Sequence, residues 1–202
     1  MRFTLKDFSF SLITGLITGF IGWRVFEFLK IPHLFDIPWI ALIVVVPVLW
    51  MFGVMLGYFL ARWMPFFAQF GKFAAIGFTN AAVDFGVLNL LISLTGTSSG
   101  ATYTLFKATS FLCAIIPSYV WNKYWAFNSA NSRGGGFEFT KFISVGLISI
   151  FVNDGVASAV VNYVHPILNL NPHQWANFGA VIGSATALIF SFVGFKFAVF
   201  KK

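Results

Sequence analysis

The sequence predicts an all-α membrane protein of six transmembrane helices, the last four a parallel duplication of a helical hairpin. Three observations lead there. Of the 202 residues, 58% are hydrophobic and only 9% charged, against roughly 25% charged in a soluble domain, so most of the surface faces lipid. Six apolar stretches reach the roughly 20 residues that a helix needs to cross a hydrocarbon core. The last two thirds of the chain also repeat themselves at nearly constant offsets.

The six stretches are 8–28, 37–60, 73–94, 104–127, 142–163 and 175–200. Turn chemistry separates them: Lys30-Ile31-Pro32-His33, the Thr- and Ser-rich 95–100, the segment 129–136, and Asn169-Leu170-Asn171-Pro172. The first stretch is too long for a signal peptide and ends in Trp23-Arg24-Val25-Phe26, without a small-residue cleavage site. It reads as a retained helix, and its Gly15-x-x-x-Gly19 spacing allows close contact with another helix. Pro47 and Pro117 fall mid-span, where each removes a backbone hydrogen bond and reads as a static bend, with a hinge as the alternative. Arg24 and Glu27, three residues apart, read as a pair at an outer helix end.

Charge gives the orientation. With the N-terminus inside, ten of the thirteen Lys and Arg residues fall on the cytoplasmic side: Arg2, Lys6, Arg62, Lys72, Lys123, Arg133, Lys141, Lys196, Lys201 and Lys202. Only Arg24, Lys30 and Lys107 fall outside. That asymmetry is the positive-inside pattern, so both termini are expected in the cytoplasm. The polar segment 128–138 becomes a cytoplasmic loop, made flexible by Gly134-Gly135-Gly136. The net charge of +7 forms no basic domain, which excludes nucleic acid as a partner; the basic residues serve topology and contacts with membrane lipids.

The repeat is read from identities. Seven of the eighteen positions from 70 to 87 recur 69 residues later, among them Phe70, Lys72, Phe73, Gly77 and Gly86. The returning helices match 73 residues apart: Ala114, Ile116, Ser118, Val120, Lys123 and Phe127 correspond to Ala187, Ile189, Ser191, Val193, Lys196 and Phe200. Repeat 1 spans about 70–127 and repeat 2 about 139–200. Each copy is a two-helix hairpin, so both insert in the same direction, an arrangement that in transporters puts the site at the repeat interface. Residues 1–65 hold two additional N-terminal helices, and 66–202 a four-helix domain.

The residues carrying the repeat also carry a family resemblance. Lys72-Phe73…Gly77…Asn80…Asp84, then Ala114…Ser118…Asn122-Lys123-Tyr124-Trp125-Ala126-Phe127, resemble the first half of the GtrA-like family. Lys141-Phe142…Gly146 and Phe195-Lys196-Phe197-Ala198-Val199-Phe200 resemble its second half. The resemblance covers about 66–202. It implies a small polytopic protein of the cytoplasmic (inner) membrane that flips a polyprenyl-phosphate-linked monosaccharide, or the undecaprenyl-phosphate carrier, for cell-surface polysaccharide glycosylation. The alternative it allows is a non-transporting partner that anchors or positions a membrane glycosyltransferase. The extra N-terminal pair departs from the family's four-helix pattern.

Two groups of residues carry the candidate chemistry. The cytoplasmic rim combines Lys72, Lys123, Lys141 and Lys196 with Trp125 and other aromatics, a set suited to a lipid phosphate. The same residues also fit ordinary topology charge plus an aromatic belt. A buried polar group comprises Asn80, Asp84, Lys107, Asn122, Asn153 and Asp154. Asp84 falls near the bilayer midplane, where an ionised carboxylate costs about 3 kcal/mol on insertion scales. It is expected to pair with Lys107, either to hold the hairpin together or to receive a sugar or phosphate head group. The second copy is neutral at the matching position, with Asn153 there and Asp154 next door.

Other chemistry is not expected. Cys113 is the single cysteine, and His33, His165 and His173 all fall in predicted loops, so neither a disulfide nor a metal is anticipated. No nucleophile–base pair, acidic metal motif or phosphate-binding Gly-rich loop is present, so the chain is read as a non-enzyme without cofactor. A six-helix chain encloses little space for a polar head group, and a homo-oligomer is expected.

Overall fold

A computed structural model describes residues 3–97, 99–129, 135–166 and 172–200. Within them the chain forms six helices and no strand. They are α1 Leu5–Phe28, α2 Leu42–Leu60, α3 Phe67–Thr95, α4 Gly100–Trp121, α5 Gly135–Tyr163 and α6 Pro172–Gly194. A 3-10 turn, Trp39–Ala41, leads into α2. All six helical segments are long and apolar enough to cross a membrane. This is a multi-pass membrane protein.

Five of the six helices overrun the apolar stretches that predicted them at their N-terminal ends, while α2 starts at Leu42, inside the stretch 37–60. α3 starts at Phe67 instead of 73 and α5 at Gly135 instead of 142. Hydropathy marks only the part of a helix inside hydrocarbon, whereas the backbone bonds continue into the interface, where Gln69, Lys72 and Lys141 are soluble. The expected loop 128–138 is corrected accordingly: Gly135, at φ 50°, opens α5, and Glu138 lies buried in its first turn. Residues 130–134, 98 and 167–171, expected as connections, lie outside the described residues.

α1 begins with a capping box. The Thr4 hydroxyl accepts from the Asp7 amide at 3.2 Å, and the Thr4 amide donates to Asp7 Oδ2 at 3.0 Å, satisfying two donors that a helix start leaves open. The Gly15 and Gly19 spacing does what it predicts. A Cβ at Gly15 would run into the backbone of Pro47, and one at Gly19 into that of Leu42, so α1 and α2 touch at backbone distance. Pro47 is buried there, and both α2 and α4 continue as single helices through their prolines.

The chain divides into two compact units, 1–128 and 129–202. In the first, α1 and α2 pack against the α3–α4 hairpin. In the second, α5 packs against α6. Each hairpin closes with a π-helical turn: Asn122–Ala126 after α4 and Phe195–Val199 after α6. Both are tied by a bond across five residues, Phe127 N–H to the Asn122 carbonyl at 2.9 Å and Phe200 N–H to the Phe195 carbonyl at 2.8 Å. These turns fall 73 residues apart, the offset at which the sequence repeats. Phe73 meets Phe127 at 6.2 Å between ring centres, and Phe142 meets Phe200 at 6.1 Å.

Candidate functional site

The mid-span pair in the first unit is formed as expected. Lys107 of α4 bonds to Asp84 Oδ2, and the Ser110 hydroxyl donates to Asp84 Oδ1 at 2.5 Å. Ser110 is fully buried, while the Asp84 and Lys107 side chains keep 18% and 44% of their exposure. The ammonium also lies 5.8 Å from the centre of the Phe85 ring. The Lys107 ammonium is thus half exposed while paired with Asp84. Asn80 has a buried amide oxygen without a partner, as does Asn122, whose amide nitrogen donates to the Ser118 carbonyl at 2.9 Å. A buried acceptor left unpaired costs roughly 1–3 kcal/mol.

At the opposite end of α3 the structure supplies a partner that sequence reasoning missed. Lys72 Nζ lies 2.6 Å from Asp7 Oδ1. Tyr58 Oη donates to Asp7 Oδ2 at 2.9 Å, and the Trp125 indole N–H to Oδ1 at 3.1 Å. The Thr4 amide and hydroxyl add bonds of 3.0 and 2.7 Å. Asp7 is 1% exposed. The Lys72 ammonium also stacks over the Tyr58 ring at 5.1 Å, and Phe10 stacks on Trp125 at 5.4 Å. Beside this cluster, Lys6 Nζ donates to the Tyr124 carbonyl at 2.6 Å. Thus Lys72 and Trp125, both expected at a lipid phosphate, are joined through a carboxylate from α1. Lys123 is buried, with its ammonium 3.3 Å from the Tyr119 hydroxyl.

One level deeper, Thr18 of α1 and Trp50 of α2 both meet Thr79 of α3, the Thr18 hydroxyl donating to the Thr79 hydroxyl at 3.0 Å. The Trp50 indole N–H donates to the buried Thr79 hydroxyl at 3.3 Å, and Thr79 donates to the Ala75 carbonyl at 2.8 Å.

The second unit treats its polar residues differently. Asn153 reaches Ser184 Oγ at 3.5 Å, and its oxygen lies 2.6 Å from where a Cβ on Gly183 would be. Asp154 is exposed, and among the described residues it forms no ion pair. Lys196 lies over the Phe192 and Phe197 rings at 5.7 and 5.4 Å. Lys141 is exposed, stacks over Phe137 at 4.6 Å, and lines a cavity of about 530 Å³. The described residues contain no group of three or more His, Cys, Asp or Glu side chains able to hold a metal.

A segment that places lysines at the starts of α3 and α5 and at the π turns after α4 and α6, around apolar spans, has a match among known proteins. The family model described as GtrA/DPMS, transmembrane domain, matches residues 72–200. The chain belongs to the GtrA/DPMS transmembrane-domain family. It is also 31% identical over 77 residues to a Bacillus subtilis (strain 168) protein described as "Uncharacterized membrane protein YngA". That match covers 38% of this chain and 48% of the relative, so it spans about half of that protein's length. No solved structure matches.

The family segment begins at Lys72 itself, so Asp7 and Tyr58 lie outside it. A lone Asp two residues inside an apolar helix start reads as an N-terminal charge or a cap. Its second role needed α1 to be placed against α3. The one signal available was that Asp7 is an acid in a segment of basic neighbours, Arg2 and Lys6. Ser110 was equally silent, since serine is tolerated anywhere in a span.

Proposed function

We propose that this protein moves a polyprenyl-phosphate-linked monosaccharide, or the polyprenyl-phosphate carrier, across the cytoplasmic membrane, with both termini in the cytoplasm. Its membership of the GtrA/DPMS family supports a role in that lipid chemistry, and one observation carries the transport reading. Asp84, Lys107 and Ser110 form a charged, partly open cluster twelve residues further along α3 than Lys72, about 18 Å at 1.5 Å per residue. A protein that only anchored a partner has no use for an ammonium held half exposed at that depth, where ionisable groups mark substrate or ion paths. A phosphate or sugar head group leaving the basic end meets a second polar station there.

The experiment is reconstitution of the purified protein with fluorescent polyprenyl-phosphate sugar, scoring movement between leaflets. Wild type transports without a partner enzyme. Asp84→Asn, nearly isosteric, inserts and folds, but its transport falls at least tenfold because the Lys107 ammonium loses its counter-charge. Transport at the wild-type rate in Asp84→Asn makes the cluster structural. No transport by wild type, with sugar transfer that depends on binding a glycosyltransferase, replaces this reading with the anchoring one.

A further inference from the structure

The two hairpins present one face in two conditions. In the first, the face of α3 and its π turn is covered by α1 and α2. Ala68, Ala75 and Ile76 are buried, Gly71 lies 3.4 Å from Gly57 measured from its would-be Cβ, and Lys72 and Trp125 close on Asp7. The positions 69 and 73 residues further on are Phe137, Thr140, Lys141, Ser144, Phe197 and Ala198. These line the 530 Å³ cavity. Phe137 and Phe197 are 70% and 63% exposed there. Glycine reports the same difference: a Cβ on Gly86 would meet Ile21 of α1 at 2.5 Å, whereas one on Gly155, 69 residues later, meets nothing. Among the described residues, Lys141 has no carboxylate partner.

The geometry points to this cavity of the second hairpin as the place where the phosphate of a lipid substrate is captured, with Lys141 as its cation, while the matching lysine of the first hairpin is permanently neutralised by Asp7. The site rests on the lipid-phosphate reading above and adds its location. The first hairpin shows which group the face accepts, since an oxyanion, the Asp7 carboxylate, occupies the matching place against Lys72. In the second hairpin Ala198 stands where Trp125 stands in the first, which removes a bulky ring and its indole donor. Thr140 and Ser144 stand where the first has Gly71 and Ala75, adding two hydroxyls one turn apart on the Lys141 side. Each hydroxyl donates to its own helix, Thr140 to the Gly136 carbonyl and Ser144 to the Thr140 carbonyl, both at 3.0 Å, and a phosphate, with more acceptor oxygens than a carboxylate, draws them over by rotation of the side chain. Phe137, Phe197 and Val145 line the rest of the cavity and give the isoprenoid chain an apolar wall.

The test uses the full-length protein in detergent, with farnesyl phosphate carrying a diazirine beside the phosphate. Photolabelling falls on 137–145 and 197–198, and excess unlabelled farnesyl phosphate displaces it. Farnesol and inorganic phosphate displace poorly, because each supplies half of the ligand. Lys141→Gln lowers farnesyl phosphate affinity ten- to a hundredfold, the effect of one charge-assisted contact, and Lys141→Arg restores most of it. Labelling centred on 68–76, or equal affinity in Lys141→Gln, overturns the assignment while leaving the transport reading intact. A face that instead pairs two copies, seen as a dimer by native mass spectrometry that Lys141→Gln abolishes without any lipid labelling, also overturns it. Wild-type protein that binds no prenyl phosphate and transports none defeats the transport reading itself.

Discussion

Four lysines of the same type, all near helix ends, have different energetic standing. The Lys72 ammonium is 13% exposed and faces a carboxylate that is 2% exposed, so its removal strands a buried negative charge. Breaking such a pair by deleting one partner costs about 3–5 kcal/mol. Lys72→Gln is therefore expected to lose at least about 3 kcal/mol of resistance to unfolding in detergent, read from a chemical denaturation curve. Tyr58→Phe removes one O–H donor from Asp7 and leaves four others, so its cost stays at the lower end for a charged acceptor, about 1.5 kcal/mol. Lys141→Gln shifts the same curve by no more than about 0.5 kcal/mol, as exposed substitutions do. A Lys72 variant as stable as wild type would show that the Asp7 cluster contributes nothing to holding α1 in place.

At the scale of elements, close helix approach is decided by single glycines. α1 and α2 meet where Gly15 and Gly19 face Pro47 and Leu42 with no space for a Cβ. The atoms in the way are backbone and cannot rotate aside. Gly19→Val is expected to destabilise the pair by about 1–3 kcal/mol, the usual range for forcing extra methyl groups into a packed site. Gly155→Ala is the opposing case, since its site is open and alanine is the better helix former by up to about 1 kcal/mol. Denaturation of the two variants side by side checks the contrast, and equal effects would remove the glycine contact as the reason α1 and α2 pair. The π turns also belong to this scale. Each widens the last turn of its hairpin and turns Lys123 or Lys196 within it, and neither was expected from the apolar pattern, which has no period for a five-residue step.

At the scale of the molecule, the distribution of Lys and Arg sets direction in the bilayer. Cysteines placed singly at Ser132 and Ser99, in a Cys113→Ala background, are expected to react with an impermeant thiol reagent from opposite sides of the membrane. Reaction of both from one side would contradict six crossings with both ends in the cytoplasm. The background change is mild, because Cys113 is exposed on α4. The added helices also matter at this scale. They bury one face of the α3–α4 hairpin and supply the carboxylate that pairs with Lys72.

The sequence by itself determined the six crossings, the close contact at Gly15 and Gly19, and the Asp84–Lys107 pair. Each depends on residues near one another along the chain or on neighbouring strokes of one hairpin. Burial in lipid sums over consecutive residues, so a hydropathic run needs no knowledge of the fold to be read, and a charge inside such a run must find its opposite nearby. The overall bounds of the helices were less legible, because their ends at Phe67 and Gly135 lie where water replaces lipid and polarity stops reporting helix. Only the tertiary structure decided which lysines are spoken for. Lys72 and Lys141 have the same neighbours in sequence, Phe at the next position and Gly five beyond, and differ because α1 lies on one of them and brings Asp7 to within 2.6 Å. An ion pair falls off with distance in space, and the separation between Asp7 and Lys72 along the chain carries no trace of it.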